Sequence, residues 1–424
     1  MNRVVVTGIG VIAPNGVGKE RFWEQLVAGE SYIVRDAEME SMDINSKVLA
    51  RLQEFDQDKL IEYWDDIDFS AQDRFVQFGL AAGQLAMEDA SLAPSVAEAD
   101  ERGIIFSSAI GGTQTVADMF KRLSDNDDQM LEYQQVGEIF YNSGMFNYPA
   151  ALLAKKYSLQ GPCTSLSTGC TAGLDALGLS YELIRSGETK VMLAGASEAP
   201  LVDLTYATLD IIGSLSVAEC EAKKASRPFD AKRAGFVIGE GAAFLVLEEE
   251  QHALARGARI YGEVVSYYSV SNAFHMTDLK ADGQSMSDVI SAAMHMGGVK
   301  PEEIDYINAH GSSTPQNDVF ETNAFKRVLG EHAYKVPISS TKSMIGHSLS
   351  SASLMGVISA LMSINHSVVH PTAHYEFPDP ECDLDYVPNE ARSLPVNTAM
   401  VTASGFGGIH STAIFRKYGG TQRA

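Results

Sequence analysis

Residues 163–186 and 336–365 run through one plan twice: a short strand, a turn of small residues and a helix. A chain that repeats such a unit is constrained to pack two related halves. The first copy passes from Cys163 through small residues into a helix marked by Leu174, Leu177, Tyr181 and Ile184, which stops at Gly187. The second runs from Ile338 through a Ser/Thr/Gly-rich turn into a helix carrying Leu354, Val357 and Leu361. Cys170 and His347 stand near the two helix starts, so packing about a pseudo-twofold brings both side chains to one cleft. At 424 residues the chain is long enough for one large duplicated α/β unit.

Short runs rich in Val and Ile begin at Val4, Gly103, Val191, Ala242, Ile304, Val336 and Ala399 and alternate with helical-period stretches. Several lack polar alternation, which implies a sheet covered on both faces. The segment 72–92 reads as a covering helix through Phe75, Phe78, Ala82 and Leu85, and 349–364 as a buried one. Residues 36–68 and 124–148 read as irregular excursions from the core. No uncharged apolar run reaches the ~20 residues of a membrane span, and the N-terminal residues read as a strand entering a loop, so a cytoplasmic location is expected. Lys plus Arg total 32 against 55 Asp plus Glu, and a net charge of -23 argues against general nucleic-acid binding.

Cys170, in STGCTAGLDALG, occupies a glycine-flanked turn at the start of a helix, where the positive helix end favours a thiolate. Cys163, Cys220 and Cys382 lack that setting and read as core cysteines; with no C-x-x-C among them, no zinc ribbon or redox pair is offered. His310 closes the apolar run IDYINAH, at a strand's carboxyl end where open α/β sheets place ligands. His347 follows Lys342 by five residues, and a nearby ammonium keeps either imidazole neutral. Asp318 and Glu321, three residues apart, either orient Lys342 or cap and solubilise a helix. The glycines of SGFGGIHS around Phe406 either turn backbone N–H groups toward an oxyanion or form a plain strand-end turn. Gly8-x-Gly10-x-x-Ala13 is a loose dinucleotide fingerprint, but Pro14 to Gly16 interrupt the helix that would receive the pyrophosphate.

Taken together, TGCTAG, NAHGSSTPQND, KSMIGHS and GFGG resemble the β-ketoacyl-acyl-carrier-protein synthases, and the likeness spans nearly the whole chain. The resemblance implies an α/β, thiolase-like fold: duplicated halves with central mixed sheets sandwiched by helices. Residues 1–250 would carry the nucleophile and 251–424 both histidines. It implies Cys170 as acyl acceptor, His310 and His347 as catalytic histidines, Lys342 beside them, Asp318 and Glu321 in support, and Phe406 as gate. The backbone N–H groups of Cys170 and Phe406 would form the oxyanion hole.

SNAFHMTDLKADG and DPECDLDYVP are similar to the ketosynthase α subunits of bacterial type II aromatic polyketide synthases, which make antibiotics and pigments. That branch pairs with a chain-length factor that has glutamine in place of the nucleophile. The resemblance therefore implies a heterodimer, malonyl and polyketide thioesters carried on the phosphopantetheine arm of acyl carrier protein, and no metal or bound cofactor. Lys223, Lys224 and Arg227 are the visible candidates for carrier-docking bases, and residues 124–148, with Phe140, Tyr141, Phe146 and Tyr148, read either as part of the partner interface or the tunnel beside it, or as an ordinary internal cap. The alternatives are a fatty-acid elongating synthase and, less well supported by an intact Cys170, a noncatalytic length-setting subunit.

Overall fold

The computed structural model describes residues 1–53, 55, 63–64, 66–124, 134, 137–280 and 283–419. Ten strands follow one path. The first five are β1 (Val4–Ala13), β2 (Arg102–Ser107), β3 (Cys163–Leu166), β4 (Val191–Glu198) and β5 (Gly241–Glu249). The second five are β6 (Gly262–Ser271), β7 (Tyr306–Asn308), β8 (Ile338–Ser339), β9 (Thr398–Gly405) and β10 (Ile409–Arg416). Their spatial order is β8-β7-β9-β10-β6-β1-β5-β4-β2-β3. Outward from the centre, the halves read β1-β5-β4-β2-β3 and β6-β10-β9-β7-β8, each with two antiparallel pairings followed by two parallel ones. The duplication seen in one strand-turn-helix unit thus extends to the whole strand plan. The two central sheets expected from the sequence are joined, because residues 4–6 of β1 pair antiparallel with 262–264 of β6.

Helices α1 (Arg74–Asp89), α2 (Ala172–Ser186), α3 (Gln284–Gly297), α4 (Pro315–Leu329) and α5 (Leu349–His366) build the layers. α1 starts where the Asp73 side chain accepts the N–H of Phe75, and it buries Phe75 and Phe78 with Phe106 and Phe244 on the outer face of the first half. α3 and α4 bury Met286, Ile290 and Phe325 with Met400 and Ile414 on the outer face of the second. Between the halves lie α2 and α5, packed with Leu174, Leu177, Leu354 and Leu361 in the largest core.

α5 is serine-studded because the two central helices approach closely. A Cβ on Gly173 would come within 2.5 Å of the Ser350 carbonyl oxygen, and Ser353 Oγ accepts the N–H of Leu174 at 3.0 Å. Hydroxyls that bond back to their own helix, as Ser353 does to Ser350 O, let this buried stretch stay narrow without orphaned polar atoms.

Gly8 and Gly10 serve packing rather than a ligand: a Cβ at Gly10 would lie 2.0 Å from the Ala82 carbonyl oxygen of α1, so β1 and α1 meet backbone to backbone. Strands β6 and β10 escape a search for continuous apolar runs. β6 alternates buried and partly buried residues, and β10 gives half of its buried positions to His410, Ser411 and Thr412, leaving only Ala413, Ile414 and Phe415 as an apolar run.

Of the expected excursion 124–148, residues 125–133 and 135–136 lie outside the described residues, whereas Ile139–Gly144 is helical. Phe140 and Phe146 are 37% exposed and Tyr141 66%, whereas Tyr148 is partly buried against the core of the first half. Residues 54, 56–62 and 65 of the other excursion are likewise outside the described set.

Both ends of the described chain reach the connection between the halves. Arg3 pairs with Glu250 and, at 2.7 Å, with Glu263, while Tyr418 donates to Glu250 at 3.1 Å. Among the described residues, no helix is long and apolar enough to cross a membrane.

Candidate active site

Turns at the carboxyl ends of strands from both halves open onto a cavity of about 300 Å³ lined by Cys170, His310, His347, Ser404 and Phe406. Cys170 sits in the single 3-10 turn Gly169–Thr171 between β3 and α2. Gly169, at φ +66°, takes the left-handed conformation that aims the turn. The cysteine therefore precedes the first helical turn proper, and the pull toward a thiolate expected of the helix start is outweighed by burial. Burial pushes the thiol up to about 12, opposed by the Lys342 charge, reinforced by the Glu198 carboxylate, and opposed again by the backbone N–H groups of Cys170 and Phe406. At rest the Cys170 side chain is a thiol, with a positive charge and two backbone N–H groups around it.

His310 follows β7. Its backbone N–H donates to Glu321 Oε1 at 2.8 Å and to Thr402 Oγ1 at 3.1 Å, and Gly311 N–H donates to Glu321 Oε2 at 2.9 Å. His347 is fixed by strand-like bonds, its N–H to Val237 O at 2.7 Å and its carbonyl oxygen accepting from Gly239 N–H at 3.0 Å. The imidazole centroids of His310 and His347 are 5.3 Å apart at 80°, and Phe236 stands edge-on to His347 at 5.2 Å. Both imidazoles are held well below their ordinary pKa by burial and then by Lys342, and are neutral N–H donors at physiological pH.

Lys342 and the acidic pair do not meet as the first expectation had it. Lys342 Nζ donates to the His310 carbonyl oxygen at 2.6 Å, and burial lowers the ammonium to about 8 against the pull of Glu321. Asp318 accepts the N–H of Phe229 at 2.8 Å and lies 3.9 Å from Arg233. Asp318 and Glu321 are both buried on α4, so they are not solubilising groups: they hold backbone segments and bear on Lys342 only through charge. Phe406, 41% exposed, stands at the cavity mouth, and Gly407 and Gly408 at φ +84° and +73° form its turn.

Two buried carboxylates, Glu198 and Asp175, were not singled out from the sequence; His410, just beyond the GFGG turn, has its imidazole Nδ1 2.9 Å from Ser404 Oγ. Glu198 closes β4 and accepts from Ala109 N–H and the Ser108 and Ser350 hydroxyls; burial raises it to about 7.

Of the other cysteines, Cys163 is exposed on β3 rather than in the core, Cys220 is partly buried, and Cys382 is buried. The docking bases also separate. Lys223 is exposed and Lys224 pairs with Glu376, but Arg227 is 4% exposed and donates to the Lys224 carbonyl oxygen, so it presents no docking charge. Among the described residues, no group of three or more His, Cys, Asp or Glu side chains is placed to hold a metal ion.

Residues 1–253 match the β-ketoacyl synthase N-terminal domain and residues 261–376 its C-terminal domain. The chain belongs to the β-ketoacyl synthase family, with the thiolase-like fold of ketosynthases.

Within the family it is 41% identical over 420 residues, 98% of this chain and 97% of the relative, to the tetracenomycin polyketide synthase ketoacyl synthase alpha subunit of Streptomyces glaucescens. It is 38% identical over 416 residues, 98% of each chain, to 3-oxoacyl-[acyl-carrier-protein] synthase 2 of Synechocystis. Among solved structures, a type II polyketide ketosynthase in complex with its acyl-carrier protein and bound to the hexaketide superposes with a TM-score of 0.92 at 40% identity, covering 98% of this chain and 99% of that one. The ishigamide ketosynthase/chain length factor gives 0.88 at 29% identity, covering 99% and 100%.

Proposed function

We propose that this chain is the condensing subunit of a type II aromatic polyketide synthase, adding two-carbon units to a Cys170-bound acyl or poly-β-ketoacyl chain by decarboxylative Claisen condensation. The observation that carries the chemistry is the convergence of one partly buried thiol and two neutral imidazoles on a single cavity, with backbone N–H groups facing the sulfur.

In the first stage the Cys170 sulfur attacks the thioester carbonyl carbon on a carrier's phosphopantetheine arm. The N–H groups of Cys170 and Phe406 hold the oxyanion, and the arm departs as a thiol with the proton that Cys170 gives up. In the second, malonyl thioester loses carbon dioxide, and the electron pair left behind is delocalised onto its thioester oxygen. His310 and His347 donate hydrogen bonds to that enolate, the function their low imidazole pKa values suit. The enolate carbon attacks the acyl-Cys170 carbonyl, the β-keto chain leaves on the carrier, and the Cys170 sulfur is freed for the next round. Lys342 supplies positive charge beside all three groups and ties down the His310 peptide. None of these steps uses a metal or nucleotide.

The carrier protein and a chain-length factor are the proposed partners. Exposed Phe140, Tyr141 and Phe146 suit an apolar contact outside this chain, with Lys223 and Lys224 as the surviving basic candidates for carrier docking. Co-expression with a chain-length factor should give a one-to-one heterodimer by native mass measurement, and only that assembly should turn malonyl-carrier protein into a polyketone of defined length. Within it, Cys170→Ala should fold but retain no acyl group on peptide mapping. A homodimer giving the same products alone would favour the fatty-acid elongating alternative, and an acyl group found on Cys163 or Cys220 would displace Cys170.

A further inference from the structure

Asp175, on α2 five residues after Cys170, is 7% exposed, and four hydroxyl groups surround it. Thr168 and Thr171 donate to Oδ2, the latter at 2.8 Å, and these two residues bracket the turn that carries Cys170. Tyr267 donates to Oδ1 at 2.7 Å, and Ser411 donates to the same oxygen. Those two residues stand on β6 and β10 of the other half. Ser411 pairs with Ala403 in the β9–β10 hairpin, whose connecting turn holds Phe406. A Cβ at Gly178 would lie 2.2 Å from the Tyr267 ring, so the ring is pressed flat on α2 and its hydroxyl has a fixed reach.

One carboxylate therefore anchors both segments that end in a sulfur-facing N–H group, one segment from each half. We propose that Asp175 is a positioning residue that sets the separation of the Cys170 and Phe406 backbone donors across the seam between the halves. It touches neither sulfur nor substrate. The proposal rests on the condensing-enzyme reading, in which those donors stabilise the oxyanion of a tetrahedral intermediate. A carboxylate fits the role because it accepts all four hydroxyl hydrogens, whereas an amide at that place offers one oxygen and two hydrogens of its own. Sequence carries a faint signal of it: Thr168, Thr171 and Asp175 fall at helical spacing around the nucleophile, with an acidic residue beside an apolar stripe.

Two reactions of Cys170 separate positioning from mere support, measured on the purified full chain in the assembly it forms. Acylation by the acetyl thioester of N-acetylcysteamine passes through an oxyanion; alkylation by iodoacetamide, a displacement of iodide, does not. Asp175→Asn should slow acylation by ~10²-fold while alkylation stays within about threefold or quickens, since displaced oxyanion donors cost that much. Tyr267→Phe, which keeps the ring packing and removes one of the four anchors, should slow acylation roughly tenfold with alkylation unchanged, and it decides the matter if Asp175→Asn does not fold. Tyr267→Phe and any folded Asp175→Asn in which the two rates fall together, or in which neither moves, overturn the positioning role. A wild-type chain that alkylates at Cys170 but takes up no acetyl group overturns the condensing-enzyme reading itself and this proposal with it, a result distinguishable from the first because it appears without any substitution.

Discussion

The ammonium group of Lys342 donates to the backbone carbonyl oxygen of His310 at 2.6 Å rather than to either carboxylate of α4. It thus acts on the site in two ways: by fixing the peptide that carries one imidazole, and by placing a positive charge that favours the Cys170 thiolate while disfavouring both imidazolium forms.

Removing that charge should make the thiol harder to ionise. Lys342→Ala is expected to slow iodoacetamide alkylation of Cys170 roughly tenfold at pH 7, as one unit of lost thiol acidity would. Because Lys342 itself loses its proton through about pH 8, the wild-type advantage should shrink above that pH. A rate ratio that stays flat from pH 6 to 10 would show that the ammonium acts by geometry alone.

Separate loss of each imidazole should dissect the two stages. His310→Ala and His347→Ala should still accept an acyl group on Cys170, yet condensation should fall by ~10²-fold or more when an enolate donor is missing. Carbon-dioxide release and acyl uptake, followed independently on folded variants, provide the check. Wild-type release in both variants would remove the histidines from the enolate step.

Glu198 predicts a pH-dependent stability. Its pKa in the fold, about 7, lies above the ordinary 4.5, so between those values the folded chain holds a proton that the unfolded chain releases. The stabilisation present at low pH is consequently lost as pH rises through that window. Glu198→Gln should be stabilised relative to wild type by up to the order of 3 kcal/mol at pH 8, with little difference near pH 4.5, in paired denaturant titrations. An equal effect at both pH values would rule out the linkage.

At Gly10 the constraint is steric. Gly10→Ala should destabilise the fold by ~3 kcal/mol or more, since its Cβ would meet the Ala82 carbonyl oxygen of α1 and neither backbone has a flexible end to yield. Urea unfolding would measure this, and a wild-type midpoint would show that β1 and α1 separate more easily than their contact indicates.

The strand-turn-helix units were legible because glycines and small residues punctuate them, and for the same reason Cys170, His310, His347 and Phe406 stood out as strand-end or turn residues. The structure brings these four to one cavity. What stayed hidden acts through backbone or through distant partners. Glu321 holds two consecutive backbone N–H groups after β7, a bond that spacing relative to Lys342 does not reveal. Glu198 is defined by hydroxyl groups 90 or more residues away in sequence, and Asp175 by two such groups, Tyr267 and Ser411, beside the local Thr168 and Thr171. Thiol acidity depends on how deeply the turn is enclosed, and a helix start visible in the sequence says nothing of that enclosure.

The meeting of Arg3, Glu250, Glu263 and Tyr418 has a consequence for gene architecture. Since both described ends of the polypeptide arrive where the link between the halves departs, the order in which the halves are written is topologically neutral. A circular permutant opened at Gly257, with residues 419 and 1 bridged by a short flexible linker, would retain the same ten-strand path and deliver the histidine-bearing half to the ribosome's exit first, leaving the cysteine-bearing half to close upon it.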